Sequence, residues 1–245
     1  MQIFAVIVTL FVVGSLAGWI IELFYRRFVS QKRWMNPGFL TGPYLPIYGF
    51  GVLGMYALSE LFISLNLEEQ FNIPIWASYI IQILAIGIIL ITIEFVAGLI
   101  FIKGLGLKLW DYSKCWGNAL GVICPLYDVI WTAAGAIYYF FVHPYLKTGV
   151  MWLAQENHNI YYLFIGIVLG MMIVDFFYSA HVATVIVSYA KKNKIVIKLS
   201  EIQKEVKEKN EQFKKKLIYF PSPTHIKEIL TKQRNNKPNE DNQED

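Results

Sequence analysis

Three ionisable side chains lie within long apolar runs of this chain, where a charge is costly. Glu94, Asp128 and His181 fall at a similar distance from one end of their runs, roughly 12 to 15 Å if each run is a helix. Charged groups in hydrocarbon are rare and are candidates for function by default. If these groups meet, they could coordinate a cation, exchange protons or bind a polar headgroup. The alternative is a hydrogen-bonded cluster that only fixes helix packing.

Two further carboxyls belong to the candidate intramembrane polar site. Asp175 lies deeper, at roughly 21 Å, and about 120° around its helix from His181, so we expect it to face another helix. Glu22 lies only about 5 Å deep. It stands four residues before Arg26, so a helix-surface ion pair would account for it. We expect Glu60, near the other end of its run, to reach water and assign it no role.

A basic group separates the first two apolar runs. It consists of Arg26, Arg27, Lys32 and Arg33. The start of the second run, where free N–H groups favour an anion, lies next to it. The group either retains this loop in the cytoplasm or binds a lipid phosphate, with Tyr44 and Tyr48 as further donors.

The composition excludes an ordinary water-soluble domain. Of the 245 residues, 56% are apolar and 16% are charged, whereas charged residues make up about a quarter of soluble domains. The charges are concentrated in the tail, because 14 of the 22 Lys and Arg residues lie beyond residue 190. Residues 1–190 are therefore predicted to form a transmembrane domain.

Five apolar runs are long enough to cross a membrane as helices. They cover residues 3–25, 45–65, 73–102, 118–142 and 160–189. The pattern predicts an all-α polytopic protein of about five spans. Lys and Arg cluster after the first and third runs and in the tail, which places the N-terminus outside and the C-terminus in the cytoplasm of a cell-membrane protein.

The tail divides into two parts. Apolar residues at nearly heptad spacing predict a cytoplasmic amphipathic helix over residues 191–220, lying on a partner or on headgroups, with a coiled coil as the alternative. Residues 221–245 are polar and are predicted to be disordered.

One order of residues occurs twice. Glu22, Trp34-x-Asn36 and Pro46-Ile-Tyr48 are matched by Glu94, Trp116-x-Asn118 and Pro125-Leu-Tyr127. The order indicates two helical hairpins repeated in parallel, with chance recurrence of short motifs as the alternative.

The segment NPGFLTGPYLPIYGFG, residues 36–51, is rich in glycine and proline. Gly38, Gly42, Gly49 and Gly51 permit close backbone approach, and Pro43 and Pro46 suit a helix start. The segment is either a stiff loop that folds into the membrane mouth or a helix start whose glycines only permit packing. Interrupted segments of this kind, in corresponding positions of two halves, mark transporter sites.

Three motifs carry a family resemblance. They are Gly18-Trp19-x-x-Glu22, the loop segment from Asn36 to Gly51, and Trp110-Asp111-Tyr112-Ser113. Over about residues 10 to 145 they resemble a family of bacterial membrane proteins labelled putative ABC transporter type IV permeases. The resemblance implies a permease of the bacterial inner membrane and names no substrate.

The sequence contains no Gly-Lys pair, so the phosphate-binding loop of an ATPase is absent and any ATPase is expected on a separate chain. Residues 103–116 could dock such a subunit, or could anchor the loop at the membrane surface. Cys115 and Cys124 form no zinc or disulfide pattern, and we expect neither metal nor cofactor. Basic and acidic residues alternate in the tail, which argues against nucleic-acid binding.

The features together favour the membrane subunit of a transporter whose substrate is unknown. The alternative is a non-transporting scaffold or sensor that recruits a partner through its cytoplasmic helix. An enzyme is not expected, since only a membrane-embedded lipid enzyme using Glu94 and His181 would fit. Five spans are few for a complete pathway, which suggests a homodimer.

Overall fold

The computed structural model describes residues 2–30, 32, 34–105, 109–155 and 159–192. Their secondary structure is helical, and the strand-like pairing in these ranges is one isolated bridge between Ala119 and Ile123. The prediction of an all-α membrane protein is confirmed. Arg33 and the tail from residue 193 onward lie outside the described residues, and so do the predicted amphipathic helix and the polar end.

The described ranges contain seven α-helices. They are α1 (Gln2–Tyr25), α2 (Pro46–Leu65), α3 (Leu67–Phe71), α4 (Ile75–Leu99), α5 (Pro125–Ile137), α6 (His143–Gln155) and α7 (Asn159–Lys192). Short π-helical turns follow three of them, over Arg26–Ser30, Ile100–Leu105 and Tyr138–Val142. Pro46 and Pro125 occupy the first turns of α2 and α5, where a missing N–H costs little.

Four helical segments in the described part of the chain are long and apolar enough to cross a membrane. They are Ile3–Ser30, Pro46–Leu65, Ile75–Ile102 and Ile160–Val185. They match the first, second, third and fifth predicted spans, so the chain is a multi-pass membrane protein. The predicted fourth span corresponds to α5 and the π-helical turn after it, and a total of five spans stays a prediction.

The helices form two hairpins that pack side by side. α1 packs on α2, α4 packs on α5, and α2 joins the hairpins by packing on α4. In each hairpin the first helix ends in a π-helical turn and a loop, and the second helix begins at a proline. These shared parts agree with the proposed repeat, which stays a prediction.

The last long helix covers the first hairpin. α7 packs against α1 and against the π-helical turn Ile100–Leu105. A buried apolar core lies where α1, α7 and the loop between α1 and α2 meet. Its members are Val8, Val12, Leu40, Tyr44, Ile165 and Met172.

Close packing of α1 on α2 depends on Gly18. A Cβ atom at this position would lie 2.2 Å from both Cβ and Cγ of Tyr48, the rigid base of that side chain. We expect Gly18→Ala to lower the free energy of unfolding by about 1 to 3 kcal/mol, the usual cost of overpacking. Thermal unfolding in detergent measures the change.

Gly166→Ala is the matched control, because a Cβ atom there meets nothing within 4 Å. It should leave the melting temperature unchanged or raise it slightly, since alanine favours helix. Equal melting temperatures for the two variants would contradict the close approach of α1 and α2 at Gly18.

Candidate intramembrane polar site

The loop of residues 34–45 folds back along α1 instead of staying outside the helices. The backbone N–H of Leu45 donates to the carbonyl of Ser15 at 2.9 Å, and Trp19 Nε1 donates to Asn36 Oδ1 at 2.8 Å. Both α1 partners lie well before the end of that helix. Irregular backbone at membrane depth is tolerated where protein covers it, and buried Leu40, Tyr44 and Leu45 provide that cover.

Asp175 of α7 holds this loop in place. Its carboxylate accepts five hydrogen bonds: from Thr41 Oγ1 (2.6 Å), Thr41 N (3.2 Å), Gly42 N (2.9 Å), Tyr44 OH (2.9 Å) and Ser179 Oγ (3.0 Å). We expected Asp175 to face another helix, and this expectation was wrong because the side chain points into the loop. Both oxygens are saturated, so the geometry gives Asp175 a structural role.

Asn36 organises the start of the same loop. Besides Trp19, its Oδ1 accepts the N–H of Gly38 at 3.2 Å, and its Nδ2 donates to the carbonyls of Leu40 and Thr41 at 2.9 and 3.1 Å. The Asn36 side chain thus stabilises the turn of residues 36–41 by hydrogen bonds to its backbone.

The glycines of this segment serve two purposes. A Cβ atom on Gly42 would lie 2.3 Å from Tyr44 Cζ, so the loop requires glycine there. Gly49 lies within α2, where a Cβ atom would lie 2.6 Å from the carbonyl oxygen of Phe11. The first half of the segment is thus a loop folded against α1, and in its second half Gly49 permits close packing of α2 on α1. Pro43 is exposed between them.

The loop of residues 109–124 is built in a similar way. Trp110 Nε1 donates to the carbonyl of Val122 at 2.7 Å, and Asp111 Oδ1 accepts the N–H of Ser113 at 3.0 Å. Asn118 Oδ1 accepts the N–H of Gly121 at 3.0 Å. These bonds close the loop above the end of α4 and leave Tyr112 directed toward that helix.

Glu94 is the centre of the candidate site. Its side chain is on α4 and the residue is only 5% exposed. Its Oε1 accepts a hydrogen bond from Tyr112 OH at 3.1 Å, and the Tyr112 ring stacks on Tyr127 with centroids 4.3 Å apart. Burial raises the pKa of the Tyr112 hydroxyl, as does the nearby Glu94 carboxyl, so this hydroxyl stays protonated and donates.

Three buried polar atoms around Glu94 have no hydrogen-bond partner among the described residues. They are Glu94 Oε2, Asp128 Oδ1 and Trp131 Nε1. Asp128 and Trp131 share a face of α5, three residues apart. The Asp128 carboxyl and the Trp131 indole both lie near Glu94, and the indole approaches Glu94 without reaching hydrogen-bond geometry.

Glu22 extends the site toward the first hairpin. It forms the expected ion pair with Arg26, with Nε and Oε1 3.1 Å apart, and its Oε2 accepts a hydrogen bond from Tyr48 OH at 3.2 Å. The Tyr48 ring packs edge-on against Trp131 with centroids 5.6 Å apart. Residues from both hairpins therefore line one cluster, which we call the polar site: Glu22, Arg26, Tyr48, Glu94, Tyr112, Asp128 and Trp131.

His181 is not part of the polar site. Its side chain is exposed on α7, which packs against α1 and the π-helical turn Ile100–Leu105. The structure brings Glu94 and Asp128 together without it. Equal depth in the membrane does not ensure contact, because rotation about α7 turns His181 away.

The basic group is engaged in local contacts where the structure describes it. Arg26 pairs with Glu22, and Arg27 Nη1 donates to the carbonyl of Lys32 at 2.7 Å. The Arg27 guanidinium also lies 5.6 Å from the centroid of the Trp34 ring. The anion site proposed for this group therefore gains no support from Arg26 or Arg27.

A second polar cluster at the opposite end of the helices was missed by sequence reasoning. Glu60 of α2 contacts His143 Nε2 and Lys147 Nζ, each at 3.1 Å. His143 is buried, and the rings of Tyr56 and Tyr138 lie beside it. Glu60 therefore ties α2 to α6 instead of simply reaching water. The spacing of His143 and Lys147, four residues apart on one helix face, was the available signal.

Within the described ranges, no group of three His, Cys, Asp or Glu side chains is arranged to hold a metal ion. Cys115 and Cys124 are free thiols.

Comparison with known protein families identifies a family for this chain. A family model described as "Putative ABC-transporter type IV" matches residues 9–180. No curated protein and no solved structure shows significant similarity to the chain. The matched range includes every residue of the polar site and both loops that contact it.

Proposed function

Because this chain belongs to the family described as putative ABC-transporter type IV, we propose that it is the membrane subunit of a transporter and that it handles its substrate at the polar site. The 245 residues contain no phosphate-binding loop, so we assign ATP hydrolysis to a separate subunit.

The observation that supports this role is the set of unsatisfied atoms around Glu94. A cluster that only fixes packing satisfies its own donors and acceptors, as Asp175 and Asn36 do in the first loop. The polar site instead leaves Glu94 Oε2, Asp128 Oδ1 and Trp131 Nε1 unpaired between two hairpins. Buried groups of this kind are expected where a ligand supplies the missing bonds.

The proposed orientation places the polar site near the cytoplasmic side. The loops after α1 and α4, which hold most of the basic residues of the membrane domain, would then face the cytoplasm. The second of them presents Trp116, 87% exposed, and Leu120, which is exposed and has a φ of 56°. A bulky residue such as leucine rarely adopts a positive φ, because this backbone conformation is strained. Exposed aromatic residues are frequent anchors of protein interfaces. We assign this loop to docking of the ATPase.

Two other functions fit the structure less well. A lipid enzyme using Glu94 and His181 would need the two side chains together, whereas Glu94 is buried on α4 and His181 is exposed on α7. A scaffold that recruits a partner through its tail would not require the polar site. The scaffold hypothesis predicts that truncation after Tyr189 abolishes function while Glu94→Gln does not.

The transporter proposal is tested by purification of the tagged full-length chain from its native membrane in mild detergent. We expect a subunit with a nucleotide-binding sequence to co-purify in stoichiometric amount, as seen by mass spectrometry, and the sample to hydrolyse ATP. Trp116→Ala should lower the amount of this subunit severalfold while leaving the chain's own level unchanged.

Trp76→Ala is the matched control, since Trp76 is exposed at the other end of α4. It should retain the ATPase subunit in full. Recovery of the wild-type chain without any ATPase would overturn the proposal, and equal loss in both variants would overturn the docking role of Trp116.

A further inference from the structure

We propose that the polar site binds an organic cation that carries a primary ammonium group beside a hydrogen-bond acceptor. This inference rests on the proposed function, because it names the ligand class of the same site. The required chemistry occurs in a free amino alcohol and in a phosphatidylethanolamine headgroup.

The unpaired atoms define what the ligand must offer. Glu94 Oε2 and Asp128 Oδ1 are acceptors, and Trp131 Nε1 is a donor. Glu94 is only 5% exposed, so its unpaired Oε2 atom lies within the cluster and not in open solvent. A ligand with at least two donors and one acceptor would satisfy all three atoms.

The charge balance of the site calls for a cation. Arg26 is paired with Glu22, and Tyr48 OH donates to the same carboxyl. Glu94 and Asp128 have no basic partner among the described residues, and each has a buried carboxyl oxygen without a hydrogen-bond partner. An ammonium group placed between them would donate to both oxygens and supply the missing positive charge.

The walls of the site favour an organic cation over a metal ion. Divalent ions such as calcium and magnesium take six or more oxygen ligands at short range, and no such cluster of carboxyl groups exists in the described ranges. The rings of Tyr48 and Trp131 pack against each other at the site, and the ring of Tyr112, whose hydroxyl bonds Glu94, stacks on Tyr127. Aromatic faces attract ammonium groups.

The acceptors also select the kind of ammonium group. A primary ammonium has three N–H donors and can bond both carboxyls at once. A quaternary ammonium has none and would leave the two oxygens unpaired. The indole N–H of Trp131 then selects a ligand with a hydroxyl or another acceptor next to the ammonium.

The direct test measures the melting temperature of the full-length protein in nanodiscs of phosphatidylcholine and phosphatidylglycerol. The probes are ethanolamine, ethylamine, choline, ethylene glycol and magnesium chloride. We expect saturable stabilisation by ethanolamine, a smaller effect of ethylamine, and none from the other three. The proposal is overturned if neither amine exceeds ethylene glycol.

Variants locate the effect. For Glu94→Gln and for Asp128→Asn we expect the affinity for ethanolamine to fall by about tenfold to a hundredfold, as for a lost charge-assisted hydrogen bond. Trp131→Phe should make ethanolamine and ethylamine equal, because only ethanolamine uses the indole N–H. Glu69→Gln and Trp76→Phe, at exposed positions, should bind as the wild type does. Unchanged binding in all three site variants would overturn the proposal, and any variant that fails to fold leaves the other two to decide.

The source of the ammonium group is identified by adding phosphatidylethanolamine to the nanodiscs. Loss of the ethanolamine response would assign the site to the lipid headgroup, and an unchanged response would assign it to a soluble amine. A chain that co-purifies with its ATPase and binds no amine would refute the ligand class alone. A chain that binds the amine without any ATPase would refute the transporter proposal alone.

Discussion

Asp175→Ala, a change on α7, should destabilise the protein more than any single change in the loop of residues 34–45 that it holds. The substitution removes the acceptor of five hydrogen bonds, and it leaves the buried Tyr44 hydroxyl and the partly buried donors of Thr41 and Gly42 without that partner. A buried donor left unpaired costs about 1 to 3 kcal/mol and each of the other lost bonds about 1 kcal/mol, so we expect a total loss of about 4 kcal/mol. The melting temperature in detergent and the steady-state level in the membrane both report it.

Two variants grade this effect. Asp175→Asn keeps one acceptor oxygen and should fall between alanine and the wild type. Ser179→Ala removes one of the five bonds and should cost about 1 kcal/mol. If Asp175→Ala is as stable as Ser179→Ala, the loop does not depend on this carboxylate.

Asp175→Ala should also impair the polar site, because the loop held by Asp175 continues into α2. The loop that Asp175 holds leads directly into Pro46, the first residue of α2, and Tyr48 of the polar site comes two residues later. Loss of the anchor would therefore displace one wall of the site as well as weaken the fold. Activity and protein level should fall together in Asp175→Ala.

Helices could be predicted closely from the sequence because hydrocarbon leaves backbone groups no other partner. The second apolar run was placed at residues 45–65, and α2 covers Pro46–Leu65. The third was placed at 73–102, and α4 covers Ile75–Leu99 before its π-helical turn. The role of Asp175 could not be predicted in this way, because its loop partners lie more than 130 residues away along the chain.

In the candidate site too, the sequence indicates the depth of a residue in the membrane but not which distant residues it contacts. Glu94 and Asp128 share a depth and lie on helices that form one hairpin, so their proximity could be expected from depth alone. His181 shares that depth, but its helix packs against α1, and depth does not specify rotation about the axis. Trp131 was overlooked although it stands three residues after Asp128 on the same helix face. A search for donors at helical spacing around each buried carboxyl would have found it.

Glu94→Gln should have the opposite effect from Asp175→Ala: loss of function with retained stability. The amide keeps the shape of the side chain and can still accept from Tyr112, while a buried carboxyl group is removed. We expect the free energy of unfolding to change by less than about 1 kcal/mol or to rise, as is common where a functional site is neutralised. Transport should fall to the level of a strain that lacks the gene. Transport of radiolabelled ethanolamine in that strain carrying each variant, with the protein level measured in the same cells, tests both parts.

The effects of Asp175→Ala and Glu94→Gln on protein level and transport together distinguish a packing role of the polar site from a functional one. A carboxyl that accepts all the bonds it can is explained by the fold that it holds, and its removal must lower the protein level. Glu94 instead accepts one bond, leaves one oxygen unpaired and faces a second carboxyl, an arrangement that weakens the fold unless a ligand compensates. If Glu94→Gln lowers the protein level as Asp175→Ala does, Glu94 is a packing residue and the transport site lies elsewhere. Normal level with lost transport, together with full function in Glu69→Gln, would place the substrate or its coupling at Glu94.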